Sequence, residues 1–455
     1  MAVVAPFKGM TYNVSKITHF ERVVTPPYDV ISEREQDEYY EIDPYNVIRL
    51  ILGKRKIGDS DWDNRYTRAA DIFSRWESGG ILVRPQLPCI YLVSTEYELP
   101  DQSERRTRWG FIALVRIEEH DSSVILPHEK TFTVHREDRL KLMRACSAQF
   151  SPVFGLYEDK PNTVLSTLEE IKDSPPKISF REKGGYYYRM WEVNRAPIIS
   201  AIVHEMSPKP IIIADGHHRY ESARNFRNLM RSRYGVHELE RPYDYVMMYL
   251  TNMADKGLAI LPYHRLFKSY PDFRAEQFLS AARKWFDILS FPFSENDQKE
   301  ATKGFLSQLS AHGRDTTAIG FYYKGSRDFY LLCLKPGARE ELGTDLHPAL
   351  KKLDVLALSR LVFQRIMGIR REDLDDERII EYESDTGLTL SSVLSGRTQM
   401  AFLVNPTKIE QIIEVTGNSL LMPRKSTFFH PKILTGLVFN KIDPSDIIQV
   451  PESRG

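Results

Sequence analysis

Cysteine is scarce in this chain of 455 residues: only Cys89, Cys146 and Cys333 occur, far apart in apolar surroundings. That excludes a disulfide framework and a thiolate metal site. Charge of one sign is lacking too. Lys plus Arg and Asp plus Glu both number 62, and the formal net charge is zero. A dedicated nucleic-acid binder carries a basic footprint that is absent from these totals, so a small molecule, not nucleic acid, is the expected partner. No apolar run approaches the roughly 20 residues of a membrane span, and Met1 to Phe7 lacks the basic-then-apolar pattern of a signal peptide. The expectation is a cytoplasmic protein with no membrane partner. Oligomeric state is left open. Neither G-x-x-x-x-G-K-[ST] nor G-x-G-x-x-G occurs, which argues against P-loop and dinucleotide-binding readings. His135-Arg136-Glu137-Asp138 echoes a protein-kinase catalytic loop but has no Gly-rich loop or D-F-G partner, and is discarded.

What is present centres on Pro210-Ile211-Ile212-Ile213-Ala214-Asp215-Gly216-His217-His218-Arg219-Tyr220-Glu221. Three β-branched residues and Ala predict a short buried strand. Asp215-Gly216 breaks it, and Tyr220, Ala223, Phe226, Leu229 and Met230 then return at helical spacing. The first turn of a helix has unpaired N–H groups and the positive end of the helix dipole, an arrangement that favours an anion such as phosphate. One charge-assisted hydrogen bond from Arg219 or a protonated His would add about 1.5–3 kcal/mol. The bland alternative is that Asp215 caps the helix and the histidines lie on the surface.

Around this turn the length suits two or three domains. A capping box at Ser32 and Glu35 opens a helix through Tyr40, and Asp61 to Gly79 reads as another. Ile90–Leu99 and Trp109–Glu118 read as a hairpin around a long charged link, Asp101 to Arg108. His135–Phe150 and Pro161–Ile171 read as helices, with Val153–Tyr157, Tyr186–Val193, Tyr243–Leu250 and Leu258–Leu261 as strands. The pattern restarts beyond Pro271. Ala275–Leu289, Lys299–Leu309, Asp354–Met367 and Pro406–Thr416 read as helices, and Ala318–Tyr323, Asp328–Leu334 and Met400–Val404 as strands. The class is therefore α+β, with mixed sheets and helices, divided near residue 268 into regions 1–268 and 269–455, and the 422–432 loop of the second region is expected to return to the site.

Further candidates sit in loops. Pro26-Pro27-Tyr28-Asp29 and Asn46 either pack a turn or reach a site. His128-Glu129-Lys130-Thr131 is either an exposed turn or a site in which Glu129 accepts a hydroxyl proton. His264-Arg265 and Lys425-Ser426-Thr427 are surface loops or phosphate and substrate contacts. A metal-dependent hydrolase would draw on His128, His217, His218, His264, His347 or His430. No H-E-x-x-H occurs, and adjacent histidines on a helix point about 100° apart, awkward for one metal. Mg²⁺ carried by a nucleotide and met by Asp215 needs no dedicated motif.

Six segments, taken in order, resemble the motif set of a bacterial and archaeal family catalogued as domain of unknown function 1015. They are Pro26-Pro27-Tyr28-Asp29-Val30, Pro44-Tyr45-Asn46-Val47-Ile48-Arg49, His128-Glu129-Lys130-Thr131, Ala214 to Glu221, Leu261-Pro262-Tyr263-His264-Arg265 and Lys425 to Lys432. The Asp-Gly-His-His-Arg-Tyr turn is also similar to the phosphate-binding segment of the ParB, sulfiredoxin and free-serine-kinase superfamily. That resemblance implies a nucleotide-binding core of that kind in the first region, with Gly216, His217, His218 and Arg219 on phosphates. It implies phosphoryl transfer from ATP or ADP to the hydroxyl of a small, serine-like metabolite. The expected roles are His218 and Arg219 on the transferring phosphate, Mg²⁺ near Asp215, and Glu129 as base. His264, Arg265 and Lys425 would contact the nucleotide, and Tyr28, Asp29, Asn46, His128, Ser426 and Thr427 the substrate. The alternatives are a nucleotide-hydrolysing ParB-like regulatory module and the metal-dependent hydrolase.

Overall fold

The computed structural model describes residues 1–99, 102–120, 122–131, 133–376 and 378–451, with backbone alone at Gln102, Ser103 and Asp375. The chain is α+β with mixed sheets. Its larger sheet has nine strands, in spatial order 125–126, 211–215, 153–157, 245–252, 102–116, 90–99, 187–193 and 178–181, with 4–5 paired to 102–116. Most neighbours are antiparallel. The exceptions are Ile211–Asp215 beside Ile125–Leu126 and Tyr245–Asn252 beside Val153–Tyr157. A second sheet of six strands, all antiparallel, runs 286–292, 328–334, 318–323, 400–404, 264–267, 380–383.

Several elements depart from the sequence reading. The charged link after Leu99 is a strand: Gln102–Arg116 pairs with Ile90–Leu99, and Arg105 meets Glu98 at 3.0 Å across the ladder. Cross-strand ion pairing accounts for charges that read as a loop. Asp101, the first residue of the expected link, lies outside the described residues. Ala275–Leu289 splits into a helix, Ala275–Ala282, and an edge strand, Phe286–Pro292, that ends in proline. Pro406 precedes its helix, Ile409–Gly417, instead of opening it. The expected helix at 354–367 turns α-helically over Asp354–Ala357 and continues as a π-helix over Leu358–Ile366.

The helix His217–Tyr234 buries His217, Tyr220, Ala223, Phe226, Arg227 and Met230, while Leu229 is exposed. Nine positions beyond Tyr220 is about half a turn off its face, so Leu229 does not join the inward set expected of it. Arg227 takes the inward place, with its guanidinium bound to the Ile117 carbonyl at 2.8 Å.

The core on one face of the large sheet joins Tyr91, Ile112, Leu114 and Met247 to Ile412, Val415, Phe429, Leu437 and Phe439 near the C-terminus. The late segment is threaded back along the sheet: Asn440–Lys441 pairs with Ala148–Gln149, and the Met422 amide donates to the His128 carbonyl at 2.8 Å. Among the described residues no helix is long and apolar enough to cross a membrane.

Candidate functional site

Ile211–Asp215 runs antiparallel to Val153–Tyr157, and their register slips between Ile213 and Asp215. A bulge at a strand end bends the chain and re-aims the next residues. Here Gly216 comes next at φ +87°, a conformation open to glycine, and a Cβ there would lie 2.8 Å from the Arg219 guanidinium. The helix then begins at His217 without a side-chain cap. Its first intrahelical bond runs from the Tyr220 amide to the Gly216 carbonyl at 3.0 Å, so the amides of His217, His218 and Arg219 lie ahead of the ladder.

His217, His218 and Arg219 line a cavity of about 530 Å³. Its walls come from three distant stretches: Glu129, Lys130, Val134 and His135; Ala214 to Arg219; and Arg424, Lys425, Thr427 and Lys432. Tyr28, Asp29, Val30 and Tyr263 complete it. The C-terminal stretch is held in place by the bridge between Met422 and Glu129 and by pairing of Phe428–His430 with Ala259–Leu261. The fully buried Arg108 adds a hydrogen bond to the Pro431 carbonyl at 2.6 Å. The cavity thus gathers Lys130, Arg219, Arg424, Lys425 and Lys432 against Asp29, Glu129 and Asp215, a cationic excess around an uncapped helix start.

Asp215 lines the cavity, and both of its carboxylate oxygens are taken up by cations. One carboxylate oxygen accepts from Arg219 Nη2 and the other from Lys432 Nζ, each at 2.6 Å. Burial pushes this carboxyl up, but the Lys432 ammonium and the Arg219 guanidinium outweigh it and hold it well below the usual carboxylate range. An ionised Asp215 already shared by two cations is a poor metal ligand and a poor base; it fixes the cations. Arg219 is pinned a second time by the Pro152 carbonyl.

Glu129 is the opposite case. Burial pushes its carboxyl up to about 7, against the lowering pull of Lys425 and Arg424. Desolvation that outweighs the pull of nearby cations is the arrangement that makes a carboxylate basic near neutral pH.

Burial favours the neutral forms of His217 and His218, which leaves Arg219 as the charged donor of the expected pair of alternatives. Burial lowers His217 well below its ordinary range and brings His218 down to about 4, with His135 and nearby arginines adding to the shift of His218. The His128 amide donates to His217 Nε2 at 3.3 Å, so the neutral His217 ring carries its proton on Nδ1. His218 packs on His135 with ring centroids 5.1 Å apart.

Of the remaining expected residues, Tyr28, Asp29, Lys425 and Thr427 line the cavity. Tyr28 lies under the Arg139 guanidinium at 3.9 Å. His128 is buried beneath the floor, between the Ile213 carbonyl at 2.6 Å and Thr427 Oγ1 at 2.9 Å. Asn46 is not at the site. Its side chain bonds the Arg22 carbonyl at 2.7 Å and the Ile48 amide at 2.9 Å, closing a turn. Ser426 is buried and donates to the Pro423 carbonyl at 2.6 Å. His264 accepts from the Val404 amide at 3.3 Å and meets Thr386 at 3.1 Å, inside the second sheet. Arg265 is buried too, bonding the carbonyls of Tyr263 and Lys425, the latter at 3.0 Å. It stands behind the wall and holds Lys425, whose backbone is left-handed at φ +57°. A strained non-glycine backbone at a cavity wall is the kind of feature that surrounding structure must over-determine.

Sequence reasoning passed over Lys432, Arg424, Tyr263, Lys130 and His135. Lys432 and Arg424 sit in the same late basic loop as Lys425, so residue type marked them, but nothing local showed which would turn inward. Among the described residues no group of three His, Cys, Asp or Glu side chains is placed to hold a metal ion.

Among curated proteins none matches this chain. Solved structures with partial likeness include a free serine kinase variant in complex with AMP, at 11% identity over 67% of this chain and 84% of the other, TM-score 0.33. A conserved hypothetical protein from Pyrococcus furiosus matches at 13% identity over 68% and 89%, TM-score 0.32. A C-terminally truncated SbnI from Staphylococcus aureus matches at 10% identity over 72% and 86%, TM-score 0.33. Likenesses at these identities and scores carry no argument about chemistry. The family described as protein of unknown function, DUF1015, matches residues 4–356, and the chain belongs to that family.

Proposed function

We propose that this chain is a phosphotransferase that moves the terminal phosphoryl group of ATP or ADP to the hydroxyl of a small, serine-like metabolite. One observation carries the reading. A carboxyl pushed up to about 7, Glu129, shares a cavity with an uncapped helix start and a cationic wall. Phosphoryl transfer asks for positioned anion binding and charge neutralisation, with a base to orient and deprotonate the incoming hydroxyl.

In this mechanism the amides of His217, His218 and Arg219 and the Nδ1–H of His217 receive the donor phosphates. Lys432 and Arg219, held by Asp215, supply positive charge without moving. Lys425 and Arg424 face the charge that develops during transfer. Glu129 takes the proton of the acceptor hydroxyl. Tyr28 and Asp29 border the acceptor. Mg²⁺ arriving with the nucleotide would neutralise phosphate charge; the cavity carboxylate suited to meet it is Asp29, because Asp215 is already committed to two cations and Glu129 serves as the base. The test is transfer itself: purified protein, Mg²⁺, ATP or ADP and a panel of small hydroxyl compounds headed by serine, assayed for a new phosphomonoester. Nucleotide hydrolysis indifferent to every acceptor would favour a nucleotide-driven regulatory module instead.

A further inference from the structure

The cavity holds a second hydroxyl with a base of its own, one that the phosphotransferase reading leaves unused. His128 Nδ1 lies 2.6 Å from the Ile213 carbonyl, which can only accept, so Nδ1 carries a proton. Burial brings His128 down to about 4, and the ring is therefore neutral at physiological pH. Its Nε2 is then a bare lone pair. Thr427 Oγ1, 2.9 Å away, can only donate to it. The chain of bonds runs Thr427 hydroxyl to His128 to backbone carbonyl, the nucleophile–base–orienter order found where hydroxyls are made nucleophilic. Two features place this chain beside the anion site. Thr427 lines the cavity, five residues before Lys432 and two after Lys425. The His128 amide itself bonds His217, the first residue of the uncapped helix.

We infer that Thr427 is an internal phosphoacceptor: in the absence of a small hydroxyl substrate, the terminal phosphoryl group of the bound nucleotide passes to Thr427 Oγ. In the step, the Oγ–P bond forms while the bond from phosphorus to the bridging oxygen of the nucleotide breaks. The leaving ADP (or AMP, from ADP) keeps that electron pair. The hydroxyl proton goes to His128 Nε2. Buried imidazolium is disfavoured there, so the proton moves on to an oxygen of the new ester, whose second ionisation lies at about 6. The product is a phosphothreonine anion within the cationic wall, a modification that would occupy the donor site and shut the cavity.

This rests on the nucleotide reading, and the experiment separates the two. The full chain is incubated with Mg²⁺ and ATP or ADP labelled at the terminal phosphate, with no acceptor. Covalent label on the denatured protein is then mapped by peptide mass, and nucleotide binding is read separately from the melting temperature. The inference predicts label on the Thr427 peptide in the wild type and in Thr427→Ser, and none in Thr427→Val, whose melting temperature nucleotide still raises. A wild type that is stabilised by nucleotide but takes no label overturns the inference and leaves the proposed function standing. Label elsewhere, persisting in Thr427→Val, also overturns it. No stabilisation and no label would bring down both. Should Thr427→Val not fold, the wild-type and Thr427→Ser peptide maps decide alone.

Discussion

A carboxyl that titrates at about 7 changes charge where cells work, and Glu129 owes that position to burial. As a base it must be ionised, so transfer is expected to rise with pH through about 7 and level off above it. Glu129→Gln should lower kcat by about 10²–10⁴-fold and abolish that rise while nucleotide binding persists. Stability runs the other way. The folded value lies above the ordinary 4.5, so the group's contribution is present below pH 4.5 and lost as pH rises through about 7. Glu129→Gln should therefore be more stable than wild type at pH 8, by about 1–3 kcal/mol in urea titrations. Asp215 behaves oppositely, because its lowered value keeps it ionised across that range. Lys432→Met would leave its buried carboxylate with Arg219 alone and should cost about 1–3 kcal/mol by the same measurement, while weakening nucleotide binding. Residue types alone marked Glu129 and Lys425 as candidates. They could not show that Asp215 is already shared by two cations, because one of the two, Lys432, lies more than two hundred positions away.

At the scale of elements, the strand, turn and helix from Ile211 to Tyr234 were legible because their cues are local: β-branched residues, then Asp-Gly, then helical spacing. Gly216 is what lets the helix begin under the Arg219 guanidinium. Gly216→Ala would put a side chain into left-handed backbone and against that guanidinium, at a cost of about 1–3 kcal/mol. Its measurable consequence is a lower melting temperature together with weaker nucleotide protection. The antiparallel hairpin from Ile90 to Arg116 was legible as well, but its charged link was misread as a loop for the opposite reason. Its charges are satisfied by cross-strand partners, which a local pattern reports as a loop. His264 and Arg265 looked like donors because their types suit phosphate. The sheet they enter buries both, and Arg265 acts through the Lys425 carbonyl. Asn46, likewise, has its side-chain amide consumed by a turn.

Across the whole molecule, the site exists because the late segment returns to the large sheet. Ile412, Val415, Phe429, Leu437 and Phe439 lie in one core with Tyr91 and Met247. Burying each such side chain contributes about 1.5–3 kcal/mol, so their sum is comparable to the 5–15 kcal/mol net stability of a typical domain. A chain ending after Val404 should therefore lose its cooperative melt by circular dichroism, and not merely its activity. The motif resemblance already put Lys425 of that late loop at the site; what no local pattern could supply is the strand pairing and the Lys432–Asp215 contact that hold it there. The most direct test of the whole account is phosphorus NMR of ATP or ADP with Mg²⁺, this protein and a panel of small hydroxyl compounds that includes serine. The account predicts a new resonance from a free, small-molecule phosphomonoester that requires both an acceptor and the Glu129 carboxylate, and that disappears in Glu129→Gln. Nucleotide left intact with every acceptor, or consumed to inorganic phosphate whether or not an acceptor is present, would contradict it.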